Sequence, residues 1–307
     1  MSKLVVLGSV NADHVVQVPS FPRPGETLTA SGYQVIAGGK GANQAVAAAR
    51  LGADVAFIAC VGDDDFGARM HKEYQALGMD VSGLMTTPDM TTGVAMIQVA
   101  DSGENSICIA PGANAALTPA RLAPHLGLIS NADTLLMQLE TPLDTIFMAA
   151  SAAKDAGTLV VLNPAPAMAL SDELLAKVDI ITPNETEAEL LTGIKVENLE
   201  HAALAAAHLH AKGIATVMIT LGSQGVFLSE RGEGQQIAGF KVEVKDTTAA
   251  GDTFNAGVLT GLQQGMSLPD AIVFAHGAAA ISVSRFGAQT SIPVRSEVDA
   301  FLATHSR

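Results

Sequence analysis

Six short runs that are apolar at nearly every position constrain this chain more than any other feature: LVVLG (4–8), DVAFIA (54–59), TLLMQL (134–139), TLVVLN (158–163), VDIIT (178–182) and TVMIT (216–220). A strand wetted on one face alternates apolar with polar, so runs without alternation must be covered on both faces. Between them lie alanine-rich helix candidates such as GANQAVAAARLG and TEAELLTG. Strands that alternate with helices in this way form a mostly parallel sheet with helices on both faces, the α/β class.

Two stretches break that rhythm. HVVQVP (14–19) with ETLTASGYQVI (26–36), and GVAMIQVA (93–100) with NSICIA (105–110), pair strand with strand across the turn-rich segments PRPGE and DSGEN, with no helix between. These runs predict a small antiparallel sheet inserted in two pieces, at about 14–36 and 93–110, able to act as a lid. From 252 onward the pattern is helical, through GDTFNAGVLTGLQQG, SLPDAIVFAHGAAAISVSR and VRSEVDAFLATHS. With no internal repeat, the expectation for 1–307 is a single large domain carrying the lid.

Charge narrows the partners. Seventeen basic against 31 acidic residues give a formal charge of −14, which repels a phosphate backbone and argues against nucleic acid. A nucleotide substrate would then need local cations, Mg²⁺ and backbone amides. Cys60 and Cys108 each sit in an apolar run, so both are expected to be inert core thiols in a reducing compartment. The N-terminal MSKLVVLGSVNAD is too short in its apolar part for a signal peptide, and no stretch of about 18 apolar residues offers a membrane span. The cytoplasm is the expected compartment, with no membrane partner.

The residues with chemistry fall mainly at strand ends and helix starts. In DTTAAGDTFNAG the small residues Ala249, Ala250 and Gly251 lead into a helix whose first amides would be bare, an anion site by geometry and dipole. Asp252, beside them, is placed to accept a proton; its plainer role would be an N-cap. In AGGKGANQ, glycines 38, 39 and 41 open a loop for close ligand approach, with Lys40 and Asn43 as polar contacts, although a hinge turn would look the same. It is neither a Walker A loop nor GxGxxG. GSVNAD puts Asn11 and Asp13 just beyond the first strand, where open α/β sheets bind ligands, and as a pair they suit sugar hydroxyls or an ordinary turn. TPNETEAEL sets Asn184 and Glu187 three apart, either reaching phosphate and Mg²⁺ waters or closing a capping box. TVMITLGSQGVFLS reads as a strand, a glycine turn and a second strand, along a nucleotide or as a plain hairpin.

GGKGAN and DTTAAGDTFNAG resemble the two signatures of the ribokinase-like carbohydrate kinases, and the likeness runs through GSVNAD, MQLETP, NPAPA and TPNETEAE to RFGAQTSIP. The resemblance implies a Rossmann-like α/β kinase whose β-sheet lid also clasps a homodimer. It implies transfer of the γ-phosphoryl group of ATP to O5 of D-ribose, with Asp252 as base. The sugar would be held by Asn11, Asp13, Gly39, Lys40, Gly41, Ala42, Asn43, Glu140 and Asp252. Along ATP would lie Asn184, Glu187, Thr220, Gly222, Ser223, Gly225, Ala249, Ala250, Gly251 and His276, the last otherwise a packed core histidine of AIVFAHGAAAI. K⁺ would be held by Asp246, Thr248, Ser282, Arg285, Gly287 and Ser291, mostly through carbonyl oxygens, with Mg²⁺ on the nucleotide. A kinase for another small sugar or nucleoside, or a silent sugar-binding regulator, is the alternative; an intact Asp252 turn is more than a silent binder needs.

Overall fold

The computed structural model of the chain describes residues 3–305; Ser306, the end of the expected last helix, lies outside them with residues 1, 2 and 307. Nine strands form the large sheet: β1 Leu4–Leu7, β4 Val55–Gly62, β5 Asp80–Thr87, β8 Thr134–Met137, β9 Leu159–Leu162, β10 Ile180–Ile181, β11 Thr216–Thr220, β12 Val226–Glu230 and β13 Glu233–Ile237. Their spatial order is β13-β12-β11-β10-β9-β8-β1-β4-β5. All pairings are parallel except the hairpin β11-β12-β13 at one edge.

Successive residues on each central strand enter opposite cores, which is why the runs show no alternation. Val5, Leu7, Ala56, Ile58, Leu135 and Met137 pack beneath the helices Leu143–Ala156 and Leu199–Ala211. Leu4, Val6, Val55, Phe57 and Leu136 pack with the helices Lys40–Arg50, Ala250–Gln263 and Leu268–Val283. Leaving either face exposed would forgo about 25 cal/mol for each Å² of apolar surface. Two edge strands escaped the sequence. β5 is only partly buried and β13 reads EGQQI, mostly exposed, so neither carries an apolar run. Among the described residues no helix is long and apolar enough to cross a membrane.

The second sheet has the order β3-β2-β6-β7, from β2 Asn11–Val18, β3 Gly32–Gly38, β6 Gly93–Ala100 and β7 Asn105–Ala110. It is not wholly antiparallel as expected: β2 and β6 run parallel, with Asn11 opposite Gly93 and Asp13 opposite Ala95. Each of these strands continues outward from a parallel strand of the large sheet, β1 or β5, so the two hairpins meet through strands of the same direction. Cys108 also departs from expectation. It stands exposed on β7, whose six residues are all exposed, while Cys60 is buried on β4 as anticipated.

Register sorts the second sheet into two faces. Asp13, Ile36, Ala95 and Ile109 share one, and His14, Val35, Met96 and Cys108 the other. Tyr33, opposite Val16, lies on the second face too.

Candidate active site

The chain leaves β1 toward β4 and β5 on one side and later fills β8 to β11 on the other, so strand order reverses between β1 and β8. Ligands of open α/β sheets bind at the carboxyl ends of strands at such a switch point. The residues just beyond β1 and β8 meet there: Ser9 Oγ donates to Glu140 Oε2 at 2.5 Å. Glu140 Oε2 also accepts from the Lys40 amide at 3.0 Å, fixing the glycine loop to the end of β8.

That loop must be glycine for two reasons. Gly39 has φ +90°, in the left-handed region, and precedes the Lys40–Arg50 helix as its cap residue. Gly41 lies so close to the β1 exit that a Cβ would come within 2.4 Å of the Ser9 nitrogen and 2.5 Å of the Gly8 carbonyl carbon. The helix start is thereby pressed against the strand end, which brings Asn43 and Gln44 into the centre of the molecule.

There they meet Asp252. Asn43 Nδ2 donates to Asp252 Oδ2 at 2.9 Å and Gln44 Nε2 to Asp252 Oδ1 at 2.9 Å. Gln44 Nε2 donates also to Asn163 Oδ1 at 3.0 Å, and Gln44 Oε1 accepts from Gln138 Nε2 at 2.5 Å. Asp252 is not an N-cap. The cap residue of its helix is Ala249, at φ +59° and without any side-chain cap, so the first amides, those of Gly251 and Asp252 among them, keep no intrahelical partner. A non-glycine residue at positive φ is costly, and here it lies in the turn that lines the cavity. The cavity is lined by Lys40, Asn184, Glu187, Thr220, Thr247 and the turn Ala249–Asp252, together with Asn163 and Asn255.

Electrostatically this is a basin of four carboxyl groups around one ammonium. Burial raises the pKa of Asp252, opposed by Lys40 and by the amides of Asn43 and Gln44. Burial and then the charges of Glu140 and Asp252 push Asp13 up to about 7. Burial works against the Lys40 charge, but Asp252, Glu140, Glu187 and Asp13 outweigh it and raise the pKa. Glu187 is raised by burial. A site so rich in carboxylates suits polyhydroxyl donors at one end and needs cations with phosphate at the other.

The residues singled out from the sequence divide as follows. Asn11, Asp13, Lys40, Asn43, Glu140 and Asp252 converge, with Gly39, Gly41 and Ala42 forming the backbone beneath them. Asn11 Oδ1 is held by Asn114 Nδ2 at 2.8 Å, and Asn43 Oδ1 is buried without a hydrogen-bond partner. Asn184 and Glu187 do close a capping box, and they line the cavity as well. Gly222, Ser223 and Gly225 form the turn between β11 and β12, beyond Thr220 and outside the cavity lining. His276 is stacked on Phe254 with centroids 5.2 Å apart, buried away from that lining. At the foot of the 249–252 turn, Asp246 Oδ1 accepts from Thr248 N and Oγ1, and its Oδ2 from Gly287 N at 2.8 Å. Ser282 and Ser291 hydroxyls bond at 2.8 Å, while the Arg285 guanidinium turns away to Glu297.

Ser9, Gln44, Asn114, Gln138 and Asn163 were missed. The available signal was a polar side chain inside an apolar element, Gln138 within TLLMQL and Gln44 within an alanine helix. Such a residue is buried and must find partners.

The sequence profile of the pfkB family carbohydrate kinases matches residues 1–295. The chain is 56% identical over 299 residues to the ribokinase of Haemophilus influenzae, covering 97% of this chain and 98% of that one. It is 43% identical over 300 residues to the ribokinase of Staphylococcus aureus, with 97% and 99% covered. Among solved structures it is similar to Arabidopsis thaliana ribokinase complexed with ribose and ATP, at TM-score 0.93 and 36% identity over 98% of this chain and 99% of that one.

Proposed function

The chain belongs to the pfkB family of carbohydrate kinases, and from that premise we infer that it transfers the γ-phosphoryl group of ATP to D-ribose, giving D-ribose 5-phosphate. The observation that carries the reading is the Asp252 carboxylate, held by Asn43 and Gln44 beside the bare amides of its own helix.

In this reading Asp252 accepts the proton of the 5-hydroxyl as that oxygen attacks phosphorus in line. The amides of Gly251 and Asp252 receive charge that grows on the γ-phosphoryl oxygens, where fixed dipoles act most strongly. Asp13 and Asn11 grip sugar hydroxyls from β2, Glu140 and Lys40 from the opposite side, and Asn43 Oδ1 accepts one more, which accounts for its buried, partnerless state. The nucleotide extends from the Ala249–Gly251 turn past Asn184, Glu187 and Thr220 toward Gly222, Ser223, Gly225 and His276.

Mg²⁺ would neutralise the phosphates. Among the described residues no group of three or more His, Cys, Asp or Glu side chains forms a cage, and Mg²⁺ does not need one: one carboxylate, here Glu187, with waters and phosphate oxygens suffices. K⁺ fits the hard oxygens of Asp246, Thr248, Ser282, Gly287 and Ser291, with Arg285 offering only its carbonyl. Bound there, it would order the 246–248 segment under the anion hole.

The lid supports a homodimer clasp. Its face away from Asp13 exposes Tyr33, Val35, Met96 and Cys108, with Tyr33 63% and Met96 51% exposed. We take the chain as one kinase domain with this lid, acting in the cytoplasm where ATP is supplied; its charge of −14 disfavours nucleic acid. The test is a panel of pentoses, hexoses, deoxyribose and nucleosides with ATP and Mg²⁺, followed by phosphorus NMR of the product. Ribose turned over best, at O5, is the expected result; a preference for another acceptor would reassign the substrate.

A further inference from the structure

Gln44 has both amide hydrogens and its carbonyl oxygen engaged, by three different elements. Gln138 Nε2, on the continuation of β8, donates to Gln44 Oε1 at 2.5 Å, which fixes the amide so that Nε2 points the other way. Nε2 then gives one hydrogen to Asp252 Oδ1 at 2.9 Å and the other to Asn163 Oδ1 at 3.0 Å. Asn163 in turn donates to the Thr182 carbonyl at 3.1 Å, on the wall of the nucleotide cavity. Gln44 and Gln138 have no solvent exposure, so neither can exchange these partners for water.

We infer that Gln44 is a positioning residue for the phosphoryl transfer: locked by Gln138, it holds Asp252 by one carboxylate oxygen and leaves the other, shared with Asn43, turned to the sugar. This rests on Asp252 acting as the base. Asn43 alone would leave the carboxylate free to rotate about its Cβ–Cγ bond; two donors on two oxygens fix the plane. The same bond favours the ionised form, since an amide N–H can donate to a carboxylate oxygen but gains less from a carboxylic acid. Lys40 also favours ionisation of Asp252, whereas Glu140, Asp13 and Glu187 face it as like charges. Without Gln44 the balance among these groups tips toward the protonated, inactive base.

The test compares wild type, Gln44→Met, Gln44→Glu and Asp252→Asn in kcat against pH with saturating ribose and ATP, with circular dichroism to establish folding. For Gln44→Met, close in size but without a donor, kcat should fall about tenfold on the acid limb of the profile, the scale of one hydrogen bond to a charged group. The loss should shrink as pH rises, and the KM for each substrate should stay within about twofold. Gln44→Glu adds a like charge and should move the acid limb further up. A uniform loss at every pH with raised KM would mean a packing role and overturn the proposal, as would an unmoved limb. Should neither Gln44 variant fold, Gln138→Met, which only unlocks the amide, must show a smaller shift of the same sign, and its absence overturns the proposal. Activity retained by Asp252→Asn would instead remove the base itself, a separate failure.

Discussion

Asn43 Nδ2 donates to Asp252 Oδ2 at 2.9 Å across 209 residues of sequence. The glycine loop and the Ala250–Gln263 helix are thus joined by a bond between a residue two positions beyond Gly41 and a residue in the first turn of that helix. In the proposed reading, the sugar end and the phosphate end of the site share this carboxylate.

Replacing that carboxylate should stop chemistry without dismantling the site. Asp252→Asn keeps the size of the side chain, and kcat is expected to fall by a factor of about 10² or more, the usual cost of losing a general base. Ribose and ATP should still bind by calorimetry. Turnover near wild type would remove Asp252 from its role.

Asp13 makes the protein without sugar sensitive to pH. Its pKa, raised from 3.8 to about 7, means that the folded chain prefers the neutral carboxyl. The stability this contributes is present below about pH 4 and lost as pH rises through 7. Asp13→Asn should therefore exceed wild type in stability at pH 8, by at most about 4 kcal/mol, with the gap closing toward pH 4. Urea unfolding at several pH values checks this; curves that stay parallel would contradict it. Ribose hydroxyls donate to the ionised form, so ribose affinity should rise through pH 7, and Asp13→Ala should cost about 2 to 4 kcal/mol of binding.

Monovalent cation should act on kcat. K⁺ beneath the 249–252 turn would steady amides that bind the transition state more tightly than the ground state. Titrating K⁺ into a tetramethylammonium buffer of constant ionic strength should raise kcat with little change in KM, and Na⁺ should do less because carbonyls spaced for a larger ion under-coordinate it. A flat titration would delete the cation site and leave the kinase intact.

Met96→Glu tests the clasp. The substitution places a charge in the middle of the exposed lid face, opposite Cys108 on β7 and His14 on β2. Sedimentation should show wild-type dimers and variant monomers. A wild-type monomer, or a variant that stays dimeric, would place the interface elsewhere.

Much of this was legible beforehand because the responsible signals are local. Burial of both faces wrote LVVLG and TLLMQL as unbroken apolar runs, and Gly39 and Gly41 of AGGKG are required by backbone geometry at those very positions. The half-exposed edges β5 and β13, and the exposure of Cys108, left no such mark, because an edge strand satisfies only one neighbour and its pattern is diluted.

The sequence by itself determined the two-sided sheet and the strand runs of the smaller one, and it singled out Asp252, Asp13 and Lys40 as candidates for chemistry, with Glu140 added by the family resemblance. Only the tertiary structure decided that β2 and β6 run parallel, that Ala249 rather than Asp252 caps the helix, and that Gln138, Gln44 and Asn163 form one chain of amides ending on the carboxylate. The reason is physical. Apolar burial and backbone conformation are settled residue by residue, whereas a hydrogen bond inside the core depends on which distant donor folding delivers within 3 Å of which acceptor.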